Sequence, residues 1–74
     1  MDYVGMINDI NEQLLDKGIK SIYSLIANNI GIDAIENIMS NNTSLYQNLS
    51  LNEKNKLKEY LSGLILQKQL LGIN

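Results

Sequence analysis

The side chains of this 74-residue sequence that could do chemistry are mainly carboxylates, because it contains neither His nor Cys. Asp9, Glu12 and Asp16 recur at helical spacing, and Asp33 precedes Glu36 by three residues. General acid–base catalysis needs a group whose pKa can be brought near neutrality, and carboxylates in first turns or on outer helix faces usually cap or solvate the helix. We therefore expect no enzyme, no catalytic residue, no metal site and no cofactor.

Nucleophilic and phosphate-binding motifs are also missing from the sequence. The serines have no base partner within a recognisable motif, and no glycine-rich phosphate loop is present. Gly18 and Gly31 stand alone, each where a helix is predicted to end. The tyrosines are predicted to be half-buried packing residues with the hydroxyl in water, and not platforms for stacked bases. They are Tyr3, Tyr23, Tyr46 and Tyr60.

Apolar spacing in the first half of the chain predicts two helices. The first covers about residues 3–17, with Asp2 as its N-cap, and ends at Gly18 in a left-handed conformation with Ile19 folding back onto the helix. The second begins at Ser21 and ends at Gly31. Its apolar residues cover nearly half its circumference, so we expect it to be the central, most buried element.

The second half predicts a short helix and a long one, separated by a loop at residues 40–44. Asp33 and Glu36 form an acidic variant of the capping box for the third helix. Ser50 and Glu53 match the capping box itself and start the last helix, which Gly72 can cap. The predicted fold class is all-α: one domain over residues 1–74, a small bundle of about four helices with the last the longest.

The last helix is also the predicted docking element. A chain this short has a marginal core, and without disulfides or a metal it is expected to gain stability from self-association or a partner. The apolar surface past residue 64 either contacts a second chain or packs over the first helix, and both explanations stand at this point. Gly63 is either tolerated at a cost of about 1 kcal/mol or admits a close backbone. The predicted partner-binding residues are Leu57, Leu61, Leu64, Ile65 and Leu71.

One stretch resembles a known family. Residues 24–32, SLIANNIGI, place Ala27 four positions before Gly31 among apolar neighbours, which resembles the first helix and turn of helix-turn-helix repressors. The resemblance implies that the next helix reads DNA. That helix offers two acids and a single plausible base reader, Asn37, while the chain has no Arg and its densest lysines alternate with glutamates. Nucleic acid is therefore a disfavoured partner, with Asn37 as the candidate contact.

Composition and elimination lead to three functional hypotheses. The many Asn and Ile residues suggest AT-rich coding, as in a low-GC bacterium, phage or plasmid, and with no leader or long apolar run we expect a cytoplasmic protein without a membrane partner. The leading hypothesis is a protein-binding regulator or inhibitor of the antirepressor, antitoxin or anti-defence type, and a homodimer. The alternative is a small dimeric DNA-binding regulator. The third is an assembly component of a mobile element.

Overall fold

The computed structural model describes residues 2–72. Over these residues the chain forms five helices and no strand, with a radius of gyration of 12.0 Å. The predicted all-α class, with the last helix the longest, is confirmed. The helix beyond the four expected is α4, a single turn. The helices are α1 (Tyr3–Asp16), α2 (Ile22–Ala27), α3 (Ile32–Asn42), α4 (Ser44–Gln47) and α5 (Leu51–Leu71).

Helix α1 begins and ends as its sequence predicts. The Asp2 side chain accepts a hydrogen bond from the Gly5 amide at 3.0 Å. Gly18 has a φ of 75°, the left-handed conformation that costs glycine little. The Ile19 amide then donates to the Leu14 carbonyl at 2.9 Å, and the Ile19 side chain packs against the core. This is the Schellman arrangement, and it turns the chain toward α2.

Helix α2 is shorter than predicted because a second Schellman turn ends it early. Ser21 is its N-cap as expected, but Asn29, not Gly31, takes the left-handed conformation, with a φ of 64°. The Ile30 amide donates to the Leu25 carbonyl at 3.0 Å. The assignment of Gly31 as the helix end is therefore wrong. Asn is one of the few side chains that enter this conformation at modest cost, which lets Ile30 leave the helix and pack on the core.

Helix α3 differs from its prediction at both ends. Gly31 precedes its first residue, and no side chain caps it, so the acidic capping box of Asp33 and Glu36 is wrong. The loop predicted at residues 40–44 is wrong as well. Most of that segment continues α3 to Asn42, and Thr43 alone separates it from α4. Thr43 is buried, and its hydroxyl donates to the Met39 carbonyl at 2.8 Å while accepting from the Tyr46 amide at 3.4 Å.

The core is organised around α3, which packs against α1, α4 and α5. The expectation that α2 would be central is wrong, because the extensive contacts between helices are those of α3. Half of the six residues of α2 are nevertheless buried, which is the largest share in any of the helices. A buried Asn11 on α1 holds α2 in place, its side-chain oxygen accepting from the Ile22 amide at 2.8 Å. The buried apolar residues are Ile7, Ile10, Leu14, Ile22, Leu25, Ile26, Ile35, Met39, Tyr46, Leu57 and Leu61.

Helix α5 starts at the predicted capping box and spans 21 residues, about 31 Å at 1.5 Å per residue. The Ser50 hydroxyl accepts from the Glu53 amide at 3.1 Å, and the Glu53 carboxylate accepts from the Ser50 amide at 2.9 Å. The Tyr60 ring stacks on the Tyr3 ring of α1 with 4.7 Å between centroids. Gly72 is the C-cap, as predicted.

Candidate functional site

Among the acidic side chains of the described chain, Glu36 is the one that joins several helices. Among residues 2–72, no three acidic, His or Cys side chains are grouped so that they could hold a metal ion. Glu36 instead accepts from the Tyr46 hydroxyl at 2.7 Å and lies 3.3 Å from the Lys58 ammonium. The Tyr46 hydroxyl lowers the pKa of Glu36, partial burial opposes this, and Lys58 lowers the pKa further. These contacts join α3, α4 and α5, so Glu36 has a structural explanation.

Tyr46 departs from the prediction of a half-buried ring with a wet hydroxyl. Its side chain is fully buried, and its hydroxyl donates to Glu36. Burial, and then the hydrogen bond to the Glu36 carboxylate, raise the pKa of the phenol well above its ordinary value. The Lys54 ammonium lies 5.6 Å from the ring centroid. The hydroxyl of Tyr46 therefore joins α4 to α3 through its hydrogen bond to Glu36.

The predicted docking residues divide into a buried and an exposed group. Leu57 and Leu61 are fully buried in the core of this chain, so they offer no surface to a partner. Their prediction as partner-binding residues is therefore wrong. Leu64 and Ile65 are half-buried against the core. Leu71 is 82% exposed, and two leucines that the sequence prediction did not single out as anchors accompany it. These are Leu66, 56% exposed, and Leu70, 61% exposed.

Residues 64–71, here called the α5 tip, carry apolar side chains on three sides of the helix, with Gln67, Lys68 and Gln69 between them. At about 100° per residue, Leu66 and Leu70 share one side of the helix, Leu64 and Leu71 share a second, and Ile65 lies on a third. Leu66, Leu70 and Leu71 are exposed, so no helix of the described chain covers their sides of the tip, whereas Leu64 and Ile65 pack against the core. The explanation that this surface packs over the first helix is therefore wrong for these three leucines.

Lys68 is the only charged residue between Tyr60 and Gly72, and it faces inward. Its ammonium donates to the Asn29 side-chain oxygen at 2.5 Å, beside the turn that ends α2. This contact lies at a depression of about 80 Å³ between that turn and α5. Because the single charge is held on the inner side, the outward sides of the tip are uncharged. The residues that line the depression are Ile26, Asn29, Ile30, Gly31, Ile65, Lys68 and Gln69.

A second, more polar groove of about 310 Å³ lies where α1 meets the junction of α3 and α4. The Gln13 side chain bridges these elements: its oxygen accepts from the Leu45 amide at 3.2 Å, and its nitrogen donates to the Ser44 hydroxyl at 3.4 Å. Both ends of this amide are used within the fold, so Gln13 holds α4 against α1. The groove is lined by Gln13, Asp16, Lys17, Asn42 and Ser44.

The candidate DNA-reading helix carries no cationic side chain for phosphate. Asn37 is exposed on α3, as a base reader would have to be, and its exposed neighbours are Asp33, Ala34 and Asn41. Neither α2 nor α3 carries a lysine. Lys58, which approaches α3 from α5, lies against Glu36. The exposed face of α3 is therefore uncharged or acidic, and it would gain little from counterion release on a duplex.

Known proteins provide no direct assignment. No protein-family model matches the sequence, and no match was found among curated proteins or solved structures. Within residues 2–72, none of the helices combines the length and the apolarity needed to cross a bilayer. The functional argument therefore rests on the surface of the chain itself, and its most unusual feature is the uncovered α5 tip.

Proposed function

We propose that this protein is a regulator or inhibitor that acts by occupying a surface of another protein, and that the α5 tip is its docking element. The observation that carries the proposal is the exposure of Leu66, Leu70 and Leu71 within six residues of one helix. Scattered exposed leucines need no explanation, whereas a cluster on an otherwise well-packed small domain is typical of an interaction surface.

The proposed mechanism is insertion of a helix into a groove. The tip presents leucines on more than one side, and a concave apolar groove can contact several sides of a helix at once. The rest of the molecule would hold the tip rigid, through the core residues Leu57 and Leu61 and the contact between Lys68 and Asn29. A pre-ordered helix loses little conformational entropy on docking, which favours affinity. Regulation would then follow from the partner surface being blocked.

Capture of the partner with matched variants tests this proposal. The tagged protein and the double variant Leu66→Glu, Leu70→Glu would be incubated with lysate of the source cells, and bound proteins identified by mass spectrometry. Leu51→Glu is the control, because Leu51 is 74% exposed at the opposite end of the same helix. We expect a protein that is retained by the wild type and by the control, and lost with the double variant.

Titration calorimetry with the identified partner makes the test quantitative. Each charge introduced at the tip should weaken binding at least tenfold, since a charged side chain must be desolvated in an apolar groove. Circular dichroism would show that the variants keep their helix content, as expected for substitutions at exposed positions. Equal affinity of the double variant and the wild type for the captured partner would refute the assignment of the tip as the docking element.

Direct DNA binding has weaker support than protein binding. The resemblance of residues 24–32 to a helix-turn-helix repressor places Ala27 at the end of α2 and Asn37 on the exposed side of α3. The same face carries no lysine to contact phosphate. A gel-shift titration with duplex DNA at micromolar protein decides between the two functions. Salt-sensitive retardation that is lost in Asn37→Ala would favour the DNA-binding regulator.

A further inference from the structure

The α5 tip is held to the rest of the chain by few contacts. The buried residues of α5 all precede Gly63, and past that position Leu64 and Ile65 are only half-buried against the core. Within residues 2–72, the side-chain hydrogen bond that ties the tip to another element is the one from Lys68 to Asn29. A helical segment of eight residues is too short to persist in water by its own propensity. Continuity with α5 and these few contacts therefore keep the tip helical.

Gly63 weakens α5 at the boundary between its buried part and the tip. It is the glycine within the span Leu51–Leu71, and in a helix interior glycine is less stable than alanine because its backbone gains more freedom when the helix opens. A Cβ added at Gly63 would meet no atom within 4 Å. Packing in the described chain therefore does not require glycine at this position, and its effect on α5 is to make interruption of the helix easier there.

Packing between the tip and the turn that ends α2 is incomplete. A depression of about 80 Å³ separates the two, with Ile26 and Ile30 on one wall and Ile65 on the other. Lys68 bridges this space, and its ammonium donates to the Asn29 side-chain oxygen at 2.5 Å. The ammonium also lies near the carboxyl end of α2, where the helix dipole favours a positive charge. One side chain thus replaces the continuous apolar packing found elsewhere in the core.

We propose that the α5 tip opens and closes as a unit, with Gly63 as the hinge and the Lys68–Asn29 contact as the latch. In the closed form the tip continues the helix and Lys68 bonds Asn29. In the open form the residues past Gly63 leave the helix, while Leu57 and Leu61 stay in the core. The regulatory role of this device rests on the proposed function: the closed form is the pre-ordered one that docks, so the latch sets the fraction of the protein that is ready to bind.

Hydrogen exchange of the free protein, followed residue by residue by NMR, tests the opening. The amides of residues 67–69 bond the carbonyls of residues 63–65 in the helix, so all three lose their bonds when α5 opens at Gly63. These amides should share one protection factor, lower by about tenfold or more than that of the amides of Leu57 and Leu61. A stepwise decrease toward the helix end would indicate ordinary fraying, and protection equal to that of the core would indicate opening only with the whole domain. Either result overturns the proposal.

Two variants test the hinge and the latch separately. Gly63→Ala places its methyl group in open space and should raise the protection of the tip amides about fivefold. Asn29→Gly keeps the left-handed backbone, with its φ of 64°, and removes the acceptor of Lys68. It should lower the protection of the tip amides by about two- to fivefold, as expected for an exposed hydrogen bond to a charged group. Unchanged tip protection in the first variant would overturn the hinge, and in the second it would overturn the latch.

Tyr46→Phe is the matched control, because it weakens a contact of the core that does not involve the tip. It should lower the protection of the amides of Leu57 and Leu61, which exchange through global unfolding, and leave that of residues 67–69 unchanged. A parallel fall in both groups of amides would show that the tip and the core open together, and would overturn the proposal.

The failure of this inference can be told apart from failure of the proposed function. Exchange in the free protein tests the hinge and the latch without any partner. Exchange in the presence of a saturating amount of the captured protein tests docking, which should protect the tip amides by a further tenfold or more. Tip amides that exchange equally fast in that complex would refute docking at the tip and leave the hinge standing. Tip amides as protected as the core in the free protein would refute the hinge and leave docking to the capture experiment.

Discussion

Replacing Tyr46 by Phe tests whether the hydrogen bond between α4 and α3 holds the fold together. The substitution keeps the buried ring and removes only the hydroxyl that donates to Glu36 at 2.7 Å. A hydrogen bond to a charged group contributes about 1.5–3 kcal/mol. The Glu36 side chain is 30% exposed and keeps Lys58 at 3.3 Å, so water can solvate the freed oxygen and the loss should lie near 1.5 kcal/mol. At 4–8 °C per kcal/mol, this lowers the melting temperature by roughly 6–12 °C.

Urea unfolding at pH 7, followed by circular dichroism, measures this loss as a change in the free energy of unfolding. A double-mutant cycle with Glu36→Gln isolates the interaction, and its coupling energy should account for most of the 1.5 kcal/mol. Tyr23→Phe is the matched control, because Tyr23 is 45% exposed and its loss should stay within about 0.5 kcal/mol. A loss below that limit for Tyr46→Phe, or a coupling energy near zero, would refute the reasoning.

Three further predictions follow from other contacts. The Tyr46 hydroxyl, followed by Lys58, lowers the pKa of Glu36 in the folded protein, so the stability that ionised Glu36 contributes is complete above the unfolded pKa of about 4.3 and is lost as the pH falls through the folded value. Between pH 7 and pH 3 the urea midpoint should therefore fall less in Glu36→Gln than in the wild type. An equal fall in the two proteins would contradict this. Leu61→Ala should lower the free energy of unfolding by about 2–5 kcal/mol, whereas exposed Leu51→Ala should change it by less than about 0.5 kcal/mol; similar losses would mean that Leu61 is not in the core. Asn11→Ala leaves the buried Ile22 amide, the first of α2, without its acceptor and should lower the free energy of unfolding by about 1–3 kcal/mol in chemical denaturation. Asn8→Ala, at an exposed position of the same helix, is the control. Equal losses in the two variants would show that the Ile22 amide binds water instead.

Local side-chain chemistry predicted the starts of three helices, because a cap acts within three residues of its own amide. Asp2, Ser21 and Ser50 all bond the amides that their positions predict. Gly18 ends α1 for the same local reason. Where two local solutions competed, sequence reasoning failed: Asn29 ends α2 ahead of Gly31, since Asn also tolerates the left-handed conformation and Ile30 gains core contacts by leaving the helix.

The candidate site was predictable only in outline. The apolar excess past residue 64 is visible in the sequence, and three of the predicted anchors, Leu64, Ile65 and Leu71, belong to the α5 tip. Leu57 and Leu61 do not, because periodicity shows that leucines share a face without showing whether that face meets the core or a partner. The exposed Leu66 and Leu70 lie outside the main stripe and belong to the wider apolar surface that the sequence already indicates, although they were not predicted as anchors.

The sequence by itself determined the helical class, the capped starts of α1, α2 and α5, and the surplus of apolar residues at the end of the chain, since each depends on neighbours within one or two turns. Tertiary structure alone decided that α3 is central and that Glu36, predicted to cap α3, contacts Tyr46 and Lys58 instead. It also decided that Leu66, Leu70 and Leu71 stay exposed. Those outcomes depend on which helices meet in space. A side chain selects among distant partners only when packing brings them within a few ångströms, and the order of residues does not encode that distance directly.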